Sequence, residues 1–205
     1  MSACDILVIA NLNMDLILEQ KNSQQTSRKR YADSFTLSPG GNGYNEAVAA
    51  ARMGATVALA AMIGSDSFGA QLKASLNEEI TDSQLVRVVP GSSGLSLILS
   101  SAGQENIYWD IVGANACLDE EYIRGLESHI AKVKLLVVGF GVPYASTVLA
   151  IRLAQKHGTA VMLVAYQSRP LSDELLSLID ILVLDSREAA TLAGMGIHTI
   201  GELAG

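Results

Sequence analysis

Short, wholly apolar runs that alternate with helical patterns constrain this chain most. The runs are DILVIA at 5–10, VALAAMI at 57–63, KLLVVGF at 134–140, AVMLV at 160–164 and DILVLD at 180–185. Each is strand-sized, and most are too continuously apolar for a strand with one wet face. Between them lie stretches that predict helices over 45–53, 68–79, 119–131, 144–157, 172–179 and 186–193. Gly54 and Gly158 stand as stops, and Ser65 or Asp66 offers a cap for the second helix. Buried strands alternating with helices imply a parallel sheet covered on both faces, an α/β fold.

Two regions break that rhythm. LVRVV, SGLSLILSS and NIYWDIV read as strands, and the last two are joined only by AGQE, so they should pair as an antiparallel hairpin. Extended pieces also flank the polar stretch 19–30, with YADSFTL resuming the strand pattern. At the other end, GIHTIGELAG resembles the start of a further helix with no strand after it, which suggests an incomplete domain.

Composition narrows the function. Of 205 residues, 49% are hydrophobic and 17% charged, so the chain expects a core and not disorder. A net charge of −7 argues against a nucleic-acid binder. Lys21, Arg28, Lys29 and Arg30 sit among polar residues and read as a solvated loop. Cys4 and Cys117 show no metal-ligand spacing and read as small buried residues of a reducing compartment. No run is long enough to span a bilayer, and MSACDILVIA carries no basic leader, so the expectation is a soluble, cytoplasmic protein.

The stretch SPGGNGYNEAVAAARMGA, 38–55, gathers Gly40, Gly41 and Gly43 where a helix begins. A Walker loop would need a lysine that is absent. A dinucleotide fingerprint is matched only as GxGxxE, after a half-polar strand and Pro39. The glycines also suit a turn that simply lets the helix pack closely. A further reading combines this stretch with NLNMD at 11–15, which brings Asn13, Asp15, Asn42 and Asn45 around open backbone N–H groups. Carboxylate and carboxamide groups of that kind suit a polyol better than an anion.

These residues resemble a known family. PGGNGYNEAVAAARMGATVALAAMIGSDSFG is similar to the first signature of the ribokinase-like (PfkB-type) carbohydrate kinases, and NLNMDLI, GANACLDEEYI, LSDELLSLIDIL and DSREAATL follow in the family's order. The resemblance covers the whole chain, with GANA leaning towards ribokinases. It implies a layered α/β domain over 1–205 with a mostly parallel sheet and a small β lid, formed from about 16–38 and 94–112. It also implies that Asp15 binds sugar hydroxyls, that Asn13 supports that turn, and that Gly41, Asn42 and Asn45 complete the cradle. Leu97, Ile98, Tyr108 and Trp109 would supply apolar lid surface, either for packing or for a homodimer contact.

Expected chemistry is ATP- and Mg2+-dependent transfer of a phosphoryl group to a sugar hydroxymethyl oxygen. The family's general-base GAGD motif occurs nowhere in residues 1–205, so the chain is expected to be a truncated, sugar-binding portion with no catalytic residue of its own and no activity alone. Asn42 stands where lysine is usual, Tyr44 where a small residue is, and Gly141 where a sugar-gripping carboxylate is expected. Val164, Ala165, Tyr166 and Gln167 replace an NPAP-like segment. The NxxE motif near phosphates and magnesium reads Asp185 to Glu188, and no metal ligand is firmly assigned. Those departures keep open an alternative, a degenerate non-catalytic relative that binds a sugar-like ligand or a partner. A nicotinamide-dependent oxidoreductase is a remoter one.

Overall fold

The computed structural model describes residues 4–21, 31–165 and 171–193. Among the described residues, ten strands form two sheets. The larger contains β1 (Ile6–Ile9), β4 (Val57–Gly64), β5 (Val86–Val89), β8 (Leu135–Gly139), β9 (Ala160–Val164) and β10 (Ile181–Val183), in the order β10-β9-β8-β1-β4-β5. Every pairing in it is parallel. The apolar runs are explained by what lies on either side. Leu7, Ile9, Ala58, Ala60 and Met62 face one core, while Val8, Ala10, Leu59, Ala61 and Ile63 face the other.

Helices α1 (Asn42–Arg52) and α2 (Ser67–Glu79) cover the second face through Ala47, Val48, Leu72 and Leu76. The first face is covered by α3 (Glu120–Gly125), α4 (Glu127–Ile130), α5 (Tyr144–His157) and α6 (Asp173–Leu176), through Ile123, Ile130, Ile151 and Leu175. Helix α7 (Ser186–Ala193) follows β10. Caps fall where the chemistry asks: Asp66 accepts the Gly69 N–H at 2.8 Å, and Gly158 closes α5 with a left-handed φ of 69°.

Several expected boundaries move. The first helix starts at Asn42 and not Asn45, so Gly43 lies inside its first turn. The helix expected over 119–131 is interrupted at Leu126, which belongs to both ends, and is preceded by a 3-10 turn over Gly113–Cys117. The helix expected over 172–179 is a single turn capped by Ser172. Cys117 is exposed, because Ala114, Asn115 and Leu118 take the inward positions around that turn, and Cys4, ahead of β1, is half-buried against the first core. Residues 28–30, Tyr166, Gln167 and GIHTIGELAG lie outside the described residues.

The smaller sheet has the order β3-β2-β6-β7, from β2 (Asn13–Gln20), β3 (Ser34–Gly40), β6 (Gly94–Ser101) and β7 (Ile107–Ile111). The expected hairpin is present as β6 and β7, antiparallel. β2 pairs parallel with β6 and antiparallel with β3. Residues in register share a face. Leu37, Leu16, Leu97 and Trp109 therefore form one row, and Ser38, Asp15, Ser96 and Asp110 form the next row, on the opposite face. One face of this sheet is an apolar stripe, and the other carries carboxylates and hydroxyls.

Candidate functional site

The chain leaves β1 at Ala10 and crosses to the second sheet through Asn11 and Leu12. Beside that crossing lies a cavity of about 310 Å3. Its floor comes from Asn11, Asn13 and Asp15, its side from Gly41, Asn42 and Asn45, and its roof from Ser96, Ile98, Tyr108 and Asp110. Gly141, just past the end of β8, closes the far wall. The position is the one parallel sheets favour for ligands, at the C-terminal ends of the strands.

Local chemistry holds the walls in place. Asn115, only 2% exposed, ties the end of the hairpin to the crossing. Its Oδ1 accepts the Leu12 N–H at 2.9 Å. Its amide donates to the carbonyls of Leu12 and Val112 and to Asn13 Oδ1. A side chain at Gly94 would strike Asn13 Oδ1 at 2.2 Å and Asn115 Nδ2 at 2.3 Å, so this junction admits only glycine without rearrangement. The glycines of the signature stretch divide between two tasks. Gly41 adopts φ 86° and turns its N–H to Asp15. Gly43 packs helix to strand, since a methyl there would sit 2.0 Å from the Ala10 methyl. Tyr44 does not intrude on the cavity: it is buried between α1 and α2, with its hydroxyl 2.6 Å from Ser75 Oγ.

Asp15 is the electrostatic centre. Burial, and then the nearby Asp110 carboxylate, push it up to about 6, against the hydrogen bond from Gly41. Its Oδ1 is buried and has no hydrogen-bond partner. The Asn13 side chain is 7% exposed, and its oxygen is taken by Asn115. An oriented acceptor without an internal partner, set among asparagine side chains, is what a polyol would satisfy.

A second cavity, of about 420 Å3, shares Asn42 and Asn45 with the first. It is lined by Glu46, Asp185 and Glu188 together with Val164, Val183 and Leu184. Burial pushes Glu46 up to about 7, and its Oε2 has no partner. Asp185 and Glu188 form a reciprocal cap on α7: each carboxylate accepts the other's backbone N–H at 2.7 Å. Among the described residues, no group of three or more His, Cys, Asp or Glu is placed to hold a metal. Three carboxylates without a lysine, arginine or histidine among the lining do not by themselves fit a triphosphate.

The structure thus brings Asn13, Asp15, Gly41, Asn42 and Asn45 to one cavity and leaves Asp185 and Glu188 on the neighbouring one. It divides the four lid residues singled out in the sequence: Ile98 and Tyr108 line the cavity, whereas Leu97 and Trp109 lie on the opposite face. Sequence reasoning missed Asp110, Ser96 and Asn115. Alternation along NIYWDIV was the available signal for Asp110, since Tyr108 and Asp110 must share a face.

Residues 4–204 match the model of the pfkB family carbohydrate kinases. The chain is 33% identical to the ribokinase of Haemophilus influenzae over 193 residues, covering 94% of this chain and 63% of that protein. It is 30% identical to the deoxyribokinase of Salmonella typhi over 197 residues, 95% of this chain and 64% of that one. The chain therefore spans a little under two thirds of these relatives. Among solved structures, a ribokinase from Giardia lamblia superposes with a TM-score of 0.86 at 22% identity, covering 99% of this chain and 63% of that one. The Arabidopsis thaliana ribokinase complexed with ribose and ATP gives 0.84 at 21% identity, covering 98% and 66%. With its layered fold, its second sheet and a match running nearly end to end, this chain belongs to the pfkB family of carbohydrate kinases.

Proposed function

We propose that this chain is the sugar-binding portion of an ATP-dependent kinase of the ribokinase type, which phosphorylates a sugar hydroxymethyl group. One observation carries the reading: a half-buried carboxylate, Asp15, keeps one buried oxygen without a partner in a cavity walled by asparagines. Asp15 accepts sugar hydroxyls, Asn13 donates and Asn45 donates and accepts beside it, and Gly41 with Asn42 lets the backbone come close. The lid strands exclude water from above. ATP would supply the phosphoryl group, but the cavity lined by Glu46, Asp185 and Glu188 does not by itself fit its phosphates, so we route no step through it. The GAGD motif that carries the family's general base occurs nowhere in residues 1–205, so we assign no catalytic residue within this chain. Its two free cysteines suit a reducing cytoplasm.

Calorimetry with ribose, 2-deoxyribose, fructose and a nucleoside tests the binding step. Binding of at least one, abolished by Asp15→Ala, is the expected result; binding unaffected by that change would overturn the reading. The 205-residue chain alone is expected to show no ATP-dependent sugar phosphorylation, and measurable turnover would refute that part. A second reading, a non-catalytic relative, is favoured by Gly141, which offers the cavity no side chain. A full-length product that binds sugar but never phosphorylates it would establish it.

A further inference from the structure

The cavity's charge is unbalanced. Asp15 and Asp110 both line it, and its described lining includes no lysine, arginine or histidine. The two carboxylates stand in one row across the sheet, with Ser96 between them. Their backbones are therefore roughly 10 Å apart, two strand spacings, with both side chains on the cavity face. Ser96 donates its hydroxyl to Asp110 Oδ1 and so aims that carboxylate along the row. Asp15 is fixed by Gly41 and leaves Oδ1 buried without a partner. Opposite them, Gly141 contributes no group that would neutralise the pair.

Two carboxylates facing one partly dry space repel each other unless a cation joins them. Among the described residues no third carboxylate, histidine or cysteine completes a metal's ligand set. The cation that fits is then one carried by the ligand. An alkylammonium has three donors and no acceptor, which matches two carboxylates, while the asparagines remain for hydroxyls.

Resting on the reading of this cavity as a sugar pocket, we propose that Asp110 is a specificity-determining residue that, with Asp15, selects a sugar or polyol bearing a protonated amine over its neutral counterpart and rejects anionic sugars. A neutral ligand leaves the two like charges facing each other, and a sugar acid adds a third. Asp110 is exposed on the described chain, so substitution there leaves the core untouched.

The test uses the whole 205-residue chain and matched pairs at about pH 7: glucose with glucosamine, ribose with 2-amino-2-deoxyribose, and gluconate as the anion. Calorimetry should show the amine of at least one pair binding about tenfold more tightly than its neutral partner, a difference of about 1.4 kcal/mol. Asp110→Asn should bring that ratio close to one, and Asp110→Lys should shift preference towards gluconate, with circular dichroism unchanged in both. Neutral sugars that bind with no amine advantage in either pair, or an advantage that survives Asp110→Asn, would overturn this inference and leave the sugar pocket standing. If no sugar binds, charged or neutral, both readings fall together.

Discussion

Asp15 is held by one backbone N–H, while its second oxygen is buried without a partner. An acceptor kept ready in this way is costly when no ligand is present. Its folded-state value of about 6 lies above the ordinary carboxylate range, so the folded protein binds a proton more readily than the unfolded chain does. Ionised Asp15 therefore subtracts stability above about pH 6, and that loss is relieved as pH falls towards 4. Asp110 on β7 is the charged group facing it across the row, and Tyr108 is the other titratable side chain lining the cavity. Two outcomes follow from one substitution. Asp15→Asn should raise the melting temperature of the unliganded protein at pH 7.5 by more than it does at pH 5, where part of that advantage is gone, while abolishing sugar binding at both. Melting curves at the two pH values, with calorimetry alongside, check it; a variant less stable than the parent at pH 7.5 would show that Asp15 is structural. The motif made Asp15, Asn13 and Asn45 legible in the sequence. Asp110 was not, because its meaning comes from register with Ser96 and Asp15, and register across strands far apart in sequence is fixed only by the folded sheet.

Helix α1 shows how an element can satisfy two readings at once. Its glycines suggested either a ligand loop or close packing, and the structure puts Gly41 on the cavity wall at positive φ and Gly43 in a packing contact with Ala10. Intrinsic propensity favours Ala over Gly by about 1 kcal/mol in a helix interior. At position 43, however, the added methyl meets the Ala10 methyl at 2.0 Å, and Ala10 sits at the end of the central strand, itself fully buried. Overpacking of this kind costs about 1–3 kcal/mol and outweighs the propensity gain. Gly43→Ala should lower the urea midpoint, and adding Ala10→Gly should recover most of the loss; no recovery in the double variant would place the strain elsewhere, against the Asn11 carbonyl at 3.1 Å. The same element explains why the helix start was misplaced by three residues. A glycine pair looks like a loop until the facing strand supplies the contact that makes glycine necessary. The long apolar strands were legible for the converse reason: burial on both faces leaves no ambiguity of side. The break at Leu126 did leave a signal, Gly125 at the end of α3, which the expectation of one helix over 119–131 passed over.

At the scale of the molecule, and among the described residues, the second sheet leaves an apolar face exposed. Phe35, Leu37, Ile107, Trp109 and Ile111 are all between 41% and 64% exposed, and they continue the rows that contain Leu16 and Leu97. A contiguous stripe of this kind, with a tryptophan at its centre, is a place for a partner surface. Among the described residues, β10 is the last strand in the order of the larger sheet and exposes Ile181 and Val183. A mean hydropathy of +0.30 fits a chain with such surfaces. Both predict association, and they predict it differently. A lid-to-lid contact is isologous and closes at a dimer, whereas an open strand edge combined with the lid face propagates. We expect a concentration-dependent dimer built on the lid. Sedimentation velocity on the parent, on Trp109→Asp and on Val183→Lys separates the cases. Dissociation by Trp109→Asp alone supports the lid contact. Dissociation by Val183→Lys alone assigns the association to the β10 edge, and a parent that stays monomeric at high concentration refutes both. Trp109 is the sole tryptophan of the chain, so its emission reads the same event without a label: burial in the contact should shift it to the blue as concentration rises.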